Sequence, residues 1–140
     1  LTPDQMSDLL NKQSGVKGIS GISSDIREVE AGIREGNERA KLAMEMYDYR
    51  IKKYIGAYAA AMGGVDIVVF TAGVGEHQWD VRQGACEDLE FMGIKIDAEK
   101  NKANCGEEEI ISAPDSKVKV VVVPTDEELL IASDTLDLVK

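Results

Sequence analysis

The sequence is short of several things. It holds two cysteines, three prolines, one histidine, one tryptophan and 5% aromatic residues in 140 positions. Cys86 and Cys105 stand far apart in no metal-ligating spacing, so a disulfide framework and a cysteine-rich zinc site are excluded, and free thiols in a reducing cytoplasm are expected. No stretch of eighteen apolar residues occurs, which argues against a membrane span. Nor does a basic and apolar leader open the chain. Lys and Arg number 16 against 26 Asp and Glu, a net charge of −10. A nucleic-acid partner needs a basic surface and is not expected. A nucleotide stays possible, because one phosphate group needs only local amides, a helix N-terminus and a metal ion.

What is present is an ordinary single-domain composition, 44% apolar and 30% charged, large enough to bury a core. There is no internal repeat or Pro-rich linker. Thr2-Pro3-Asp4 predicts a helix start, with Thr2 as cap and Met6, Leu9 and Leu10 as its apolar face. A glycine-punctuated loop is expected from Ser14. Asp25 followed by Glu28 resembles a capping box, and Ile26, Val29 and Ile33 continue at helical spacing until Gly36-Asn37. A long helix is predicted over 38–62, closed by Gly63-Gly64. Ile67 to Phe70 reads as a strand covered on both faces. A helix over 76–92, a short strand over 94–96, an ambiguous polar stretch over 97–104, strands at 110–111 and 117–123, and a helix over 125–138 complete the reading. Strands alternating with helices imply a mostly parallel sheet with helices on both faces.

Three stretches carry chemistry, and each has a purely structural alternative. In "TAGVGEH", Thr71 to His77, a strand runs into glycines and then a helix. Gly73 and Gly75 can take positive φ and let a ligand approach the main chain, at the strand end where open α/β sheets bind ligands. The alternative is a tight turn, with Glu76 as a favourable charge on a helix dipole. In "VVVPTDEEL", Val121 to Leu129, Thr125 and Glu128 form a capping box, which leaves Asp126 and Glu127 free for Mg²⁺. In "SSDIRE", Asp25 caps a helix, while Arg27 in its first turn suits a bidentate or stacking task. His77 is either a ligand donor or a surface histidine. Trp79 serves as a helix anchor, and Glu107-Glu108-Glu109 as a solvated loop. A dinucleotide fingerprint is excluded, because Gln78 stands where its third glycine belongs.

Taken together, "SSDIRE", "KYIGAYAAAMGGVDIVVFTAGVGEH" with Val81-Arg82, "FMGIKIDAEKN" and "VVVPTDEELLIA" resemble the carboxyl-terminal part of the acetate kinase family, in order and spacing across essentially the whole chain. The resemblance implies a ribonuclease H-like, actin-like ATPase fold, shared with sugar kinases, in a longer protein of two related domains. It implies reversible phosphoryl transfer between ATP and acetate, a magnesium ion, and a homodimer. By resemblance, Asp25, Ile26 and Arg27 hold the adenosine part of the nucleotide. Gly73, Val74, Gly75, Glu76 and His77 form a second nucleotide-binding loop, and Glu127 is a magnesium ligand. Four positions depart from the family pattern. Ile26 replaces a common aromatic and Val74 an isoleucine, while His77 and Asp126 each replace an asparagine. The family's catalytic aspartate, arginine pair, histidine and phosphate loop have no counterpart in these residues. The chain, which opens on Leu1, is therefore expected to be an inactive portion of the enzyme. Propionate or butyrate as the acceptor, or a non-catalytic dimerisation module, are the alternatives.

Overall fold

The computed structural model describes residues 1–139 and divides them into two compact units, Leu1–Tyr58 and Ala59 onward.

The first unit is helical. Helix α1 (Pro3–Lys12) opens as its sequence dictates: Gln5 N donates to Thr2 Oγ1, and the Gln5 side chain accepts from Thr2 N. The stretch expected as a loop contains a second helix, α2 (Gly15–Ser20), closed by Gly21 in the left-handed conformation. Partial burial of Val16 and Ile19 outweighs the poor helix propensity of its glycines. Helix α3 (Ile26–Arg34) starts at Asp25. The capping box expected there is one-sided: the Asp25 carboxylate accepts from Arg27 N, and no return bond comes from Glu28. The core of this unit is small, with Val29, Ala40, Ala43 and Met44 buried. Gly32 lies close under Ile22, whose Cδ1 would stand 2.5 Å from an added Cβ and would have to swing aside. Helix α4 (Glu38–Met62) has the predicted bounds and runs about 37 Å at 1.5 Å per residue.

The second unit is built on a three-stranded sheet in the order β1-β3-β2. Strand β1 (Ile67–Phe70) pairs parallel with β3 (Lys119–Val122), from Ile67 opposite Lys119 to Phe70 opposite Val122. Strand β2 (Glu109–Ile110) pairs antiparallel with the far side of β3. Residues 94–96 make two isolated bridges, Ile94 to Val118 and Ile96 to Ser112, in place of the short strand expected. Phe70, Val81, Ala85, Leu89, Ile94, Ile111, Val118, Val120 and Val122 form the core.

Two expectations need correction here. β1 is not covered on both faces: Ile67 and Val69 are each 52% exposed. An apolar run marks a strand that could be buried on both sides, but burial needs an element to lie on each face, and among the described residues the Ile67 and Val69 face of β1 is left open. The single helix predicted over 76–92 is three pieces: α5 (Ala72–His77), α6 (Trp79–Cys86) and a 3₁₀ turn over Glu90–Met92. Gln78, with φ −104° and ψ 88°, interrupts the helical path, and Glu87, with ψ 139°, ends the second piece before the left-handed Asp88. The ambiguous stretch is helix α7 (Ala98–Ala103), capped by Asp97 through the amides of Glu99 and Lys100. The last helix, α8, spans Glu127–Val139.

Candidate nucleotide site

Parallel pairing puts the carboxyl ends of β1 and β3 at one edge of the sheet. The chain leaves β1 at Thr71 and leaves β3 through Val123-Pro124-Thr125. Val123 N donates to Phe70 O at 2.9 Å, so the two exits start as neighbours. They are then joined by one side chain. Glu76 Oε1 accepts from Thr125 N and from Thr125 Oγ1, both at 2.9 Å. The Thr125 amide and then its hydroxyl hold the Glu76 carboxyl below its usual pKa, with help from the Ala72 amide, against a smaller opposing effect of burial.

This geometry revises two readings of the loop. Glu76 is not a charge at the start of a helix; it lies near the end of α5 and is almost fully buried. Neither Gly73 nor Gly75 has positive φ. The left-handed residue is Ala72, at φ 58°, a conformation costing an L-residue about 1–2 kcal/mol. The glycines serve two other purposes. A Cβ on Gly75 would come within 3.1 Å of the Phe70 carbonyl carbon, so α5 packs directly on the end of β1. A Cβ on Gly73 would meet nothing within 4 Å, so the backbone there is open to approach. Val74 is half-buried.

His77 is exposed, and its ring lies over Gly106, where a Cβ would stand 2.5 Å from Cε1. Its Nδ1 is 3.2 Å from the Cys105 carbonyl. A carbonyl can only accept, so Nδ1 carries a proton, and Nε2 on the other side of the ring stands 4.0 Å from Glu76 Oε2. The Trp79 ring is 41% exposed, with Lys102 Nζ 5.4 Å above it, so its anchoring is partial.

At the second corner the capping assignment changes. Thr125 is committed to Glu76, and Asp126 caps α8 instead, its Oδ1 accepting from Leu129 N at 2.9 Å. Asp126 is therefore occupied, while Glu127 and Glu128 stand exposed in the first turn of the helix. Among the described residues, no three carboxylate, histidine or cysteine side chains gather as a metal cage. A single carboxylate at a corner suits Mg²⁺ that takes its other ligands from water and phosphate.

Asp25, Ile26 and Arg27 belong to the first unit. Arg27 Nε and Nη2 grip Asp25 Oδ1 and Oδ2 at 3.1 and 2.6 Å. These hydrogen bonds raise the pKa of Arg27 and lower that of Asp25. The Arg27 side chain is 82% exposed, so its guanidinium face stays open although its fork is taken. Ile26 is half-buried.

Residues 1–133 match the acetokinase family. The chain belongs to the acetokinase family. It is 67% identical over 135 residues to the acetate kinase of Bacteroides thetaiotaomicron, covering 96% of this chain and 34% of that protein. Its structure superposes on the crystal structure of Porphyromonas gingivalis acetate kinase with a TM-score of 0.91 at 61% identity, covering all of this chain and 35% of that one. A propionate kinase from Francisella tularensis is similar at 35% identity, with a TM-score of 0.82 over 94% of this chain and 33% of that one. The chain thus spans about a third of the length of the relatives it matches, and it has the actin-like ATPase fold of that portion.

The acetokinase segment also contains a residue group that sequence reasoning passed over. Arg82 on α6 is completely buried, as is Asn101 on α7, and Asn104 is nearly so. Arg82 bonds to both asparagines and to the carboxyl end of α5. A signal existed: Arg82 lies at helical spacing with Ala85, Cys86 and Leu89, all buried, so it had to point into the core.

Proposed function

We propose that this chain is the nucleotide-binding part of an acetate kinase, which transfers a phosphoryl group reversibly from ATP to acetate, giving acetyl phosphate and ADP. The observation that carries the proposal is the Glu76–Thr125 bond pair. It joins two loops at the carboxyl edge of the parallel strands, where open α/β sheets bind ligands, in a chain closely similar to proteins named acetate kinase. Gly73, Val74 and Gly75 present backbone to the adenine and ribose side of the nucleotide, and the exposed His77 ring lies beside them. Glu76 is spent on Thr125, so it shapes the loop. By the family resemblance Arg27 contributes its open face, with Asp25 gripping the guanidinium and Ile26 between them in the chain.

Glu127 would hold the magnesium ion, directly or through water, at the phosphate end of the nucleotide. When bound, the ion neutralises charge on the phosphates and orients the group in transfer. The short-chain carboxylate and the groups that stabilise the moving phosphoryl belong to a part of the enzyme that this chain does not supply. Phosphoryl transfer depends on positioning and charge stabilisation together, so the chain alone is inactive. Measuring acetyl phosphate formation by this chain and by a longer polypeptide that includes it tests the assignment. Turnover by the 140 residues alone would refute the division of labour. A longer enzyme that prefers propionate or butyrate would move the acceptor assignment.

A second reading has one observation in its favour. Leu42, Met46 and Tyr49 share one face of α4 and are all exposed. Such a stripe suits the homodimer that the resemblance implies. Light scattering that shows a dimer, with no thermal shift on adding Mg-ADP, would favour a dimerisation module over a nucleotide site.

A further inference from the structure

We propose that Arg82 is a positioning residue for the nucleotide corner: one buried guanidinium closes the carboxyl ends of α5 and α7 together, and so holds Glu76 where Thr125 can bind it. The functional half of this inference rests on the nucleotide reading above; the structural half does not.

An arginine side chain has five N–H donors and no acceptor. Here all five are used. Nε donates to Asn101 Oδ1 at 2.7 Å. Nη1 donates to the carbonyls of Gly75 and Glu76 at 2.9 and 2.6 Å. Nη2 donates to the carbonyls of Asn101 and Asn104 at 2.9 and 3.2 Å. None of these acceptors is a carboxylate, although a buried charge ordinarily needs an opposite one. The acceptors share a different property. Gly75 and Glu76 lie in the last turn of α5, and Asn101 and Asn104 in the last turn and cap of α7. The final carbonyls of a helix lack partners within it and carry its partial negative charge. Arg82 therefore replaces a counter-ion with two helix ends and satisfies carbonyls that burial would otherwise leave unpaired.

The consequence for the corner runs through Glu76, which is gripped at both ends. Its carbonyl accepts from Arg82 while its carboxylate accepts from Thr125. Asn101 extends the brace, donating from Nδ2 to Trp79 O at 2.8 Å and so tying α7 to the first turn of α6. The left-handed Ala72 at the other end of α5 needs such support, because a strained backbone persists only where its surroundings fix it. Lysine could not substitute, since its three donors leave one point and cannot reach four backbone carbonyls on two helices.

Hydrogen exchange and Mg-ADP binding, measured on wild-type protein and on Arg82→Lys, test the inference. Loss of one to two net hydrogen bonds predicts that amides in 74–78 and 101–105 exchange about tenfold faster or more, while those in β1, β3 and the first unit do not change. The Mg-ADP dissociation constant should rise about tenfold or more in the same variant. Should Arg82→Lys not fold, Asn101→Ala removes the Nε acceptor and the tie to Trp79, leaves the four carbonyls to Arg82, and should give the same pattern more weakly. Acceleration spread evenly over both units, or none in 74–78, would overturn the brace. Local acceleration with an unchanged dissociation constant would overturn the positioning role. If wild-type protein binds no Mg-ADP, the nucleotide reading fails, and the exchange pattern still decides whether Arg82 closes the two helix ends.

Discussion

Substituting Gly73 by alanine separates fold from ligand contact more cleanly than any other single change in the loop. Gly73 is the second residue of α5, its φ is not left-handed, and a Cβ there meets nothing within 4 Å. Alanine is the better helix former by about 0.5–1 kcal/mol in a helix interior, and the lower figure suits the end of a short helix. The ligand-free protein should therefore melt about 2 °C higher. If nucleotide lies against this backbone, the same methyl intrudes on it, at a cost of about 1–3 kcal/mol or roughly 5- to 150-fold in affinity. Nucleotide at a hundred times the wild-type dissociation constant stabilises the wild type by about 2.7 kcal/mol, and a protein binding a hundredfold more weakly by about 0.4 kcal/mol. Thermal melts with and without Mg-ADP read both effects at once. Gly75→Ala is the control of opposite sign. Its Cβ would press on the Phe70 backbone at 3.1 Å, so the ligand-free protein should lose about 1–3 kcal/mol. A Gly73→Ala protein that melts higher and keeps its full Mg-ADP shift would refute the idea that ligand approaches Gly73.

Three further outcomes are expected. The Thr125 bonds depress the Glu76 pKa, so their contribution is present above the ordinary glutamate value of about 4.3 and is lost as pH falls through the lower folded value. The melting difference between wild type and Thr125→Val should accordingly be constant from pH 5 to 7 and shrink below about pH 4; a difference that grows on acidification would contradict this. Glu127→Gln should leave the ligand-free melting temperature unchanged, since the side chain is exposed, and should raise the magnesium concentration needed for the nucleotide shift. Arg27→Ala should likewise leave stability unchanged, because the Asp25 pair is solvent-facing, while weakening nucleotide binding; equal affinity in a titration would remove Arg27 from the site.

The parts of the fold written in local chemistry were legible. Thr2 with Gln5 set the start of α1, the paired glycines after Met62 closed α4, and the valine run preceding Pro124 marked β3. The errors lay where a distant partner decides. Thr125 has the residue type and spacing of a helix cap, yet Glu76, 49 positions away, claims both its amide and its hydroxyl. Asp126 then caps α8, which a local pattern could not foresee. Likewise, the apolar spacing through Val81, Ala85 and Leu89 is continuous with a helix beginning at Glu76, and only the backbone at Gln78 shows the break. Sequence spacing could place Arg82 in the core but could not say what satisfied it there, because its acceptors are backbone carbonyls, which every residue type carries.

The site itself follows from one topological fact combined with one side chain. Parallel pairing of β1 with β3 brings two loops to the same edge but leaves their separation free; the Val123 to Phe70 bond sets it only at the roots of the loops. Fixing the loops further out requires a group long enough to cross, buried enough not to prefer water, and charged enough to accept from two donors at once. Glutamate at position 76 meets all three conditions, and neutral glutamine would weaken the third by giving up the charge. Aspartate, shorter by one methylene, would have to draw α5 towards Thr125. Gly75 already rests on the end of β1, leaving the helix little room to move. The identity of residue 76 is thus set by the distance between the two loops, independently of whether its carboxylate ever touches a nucleotide.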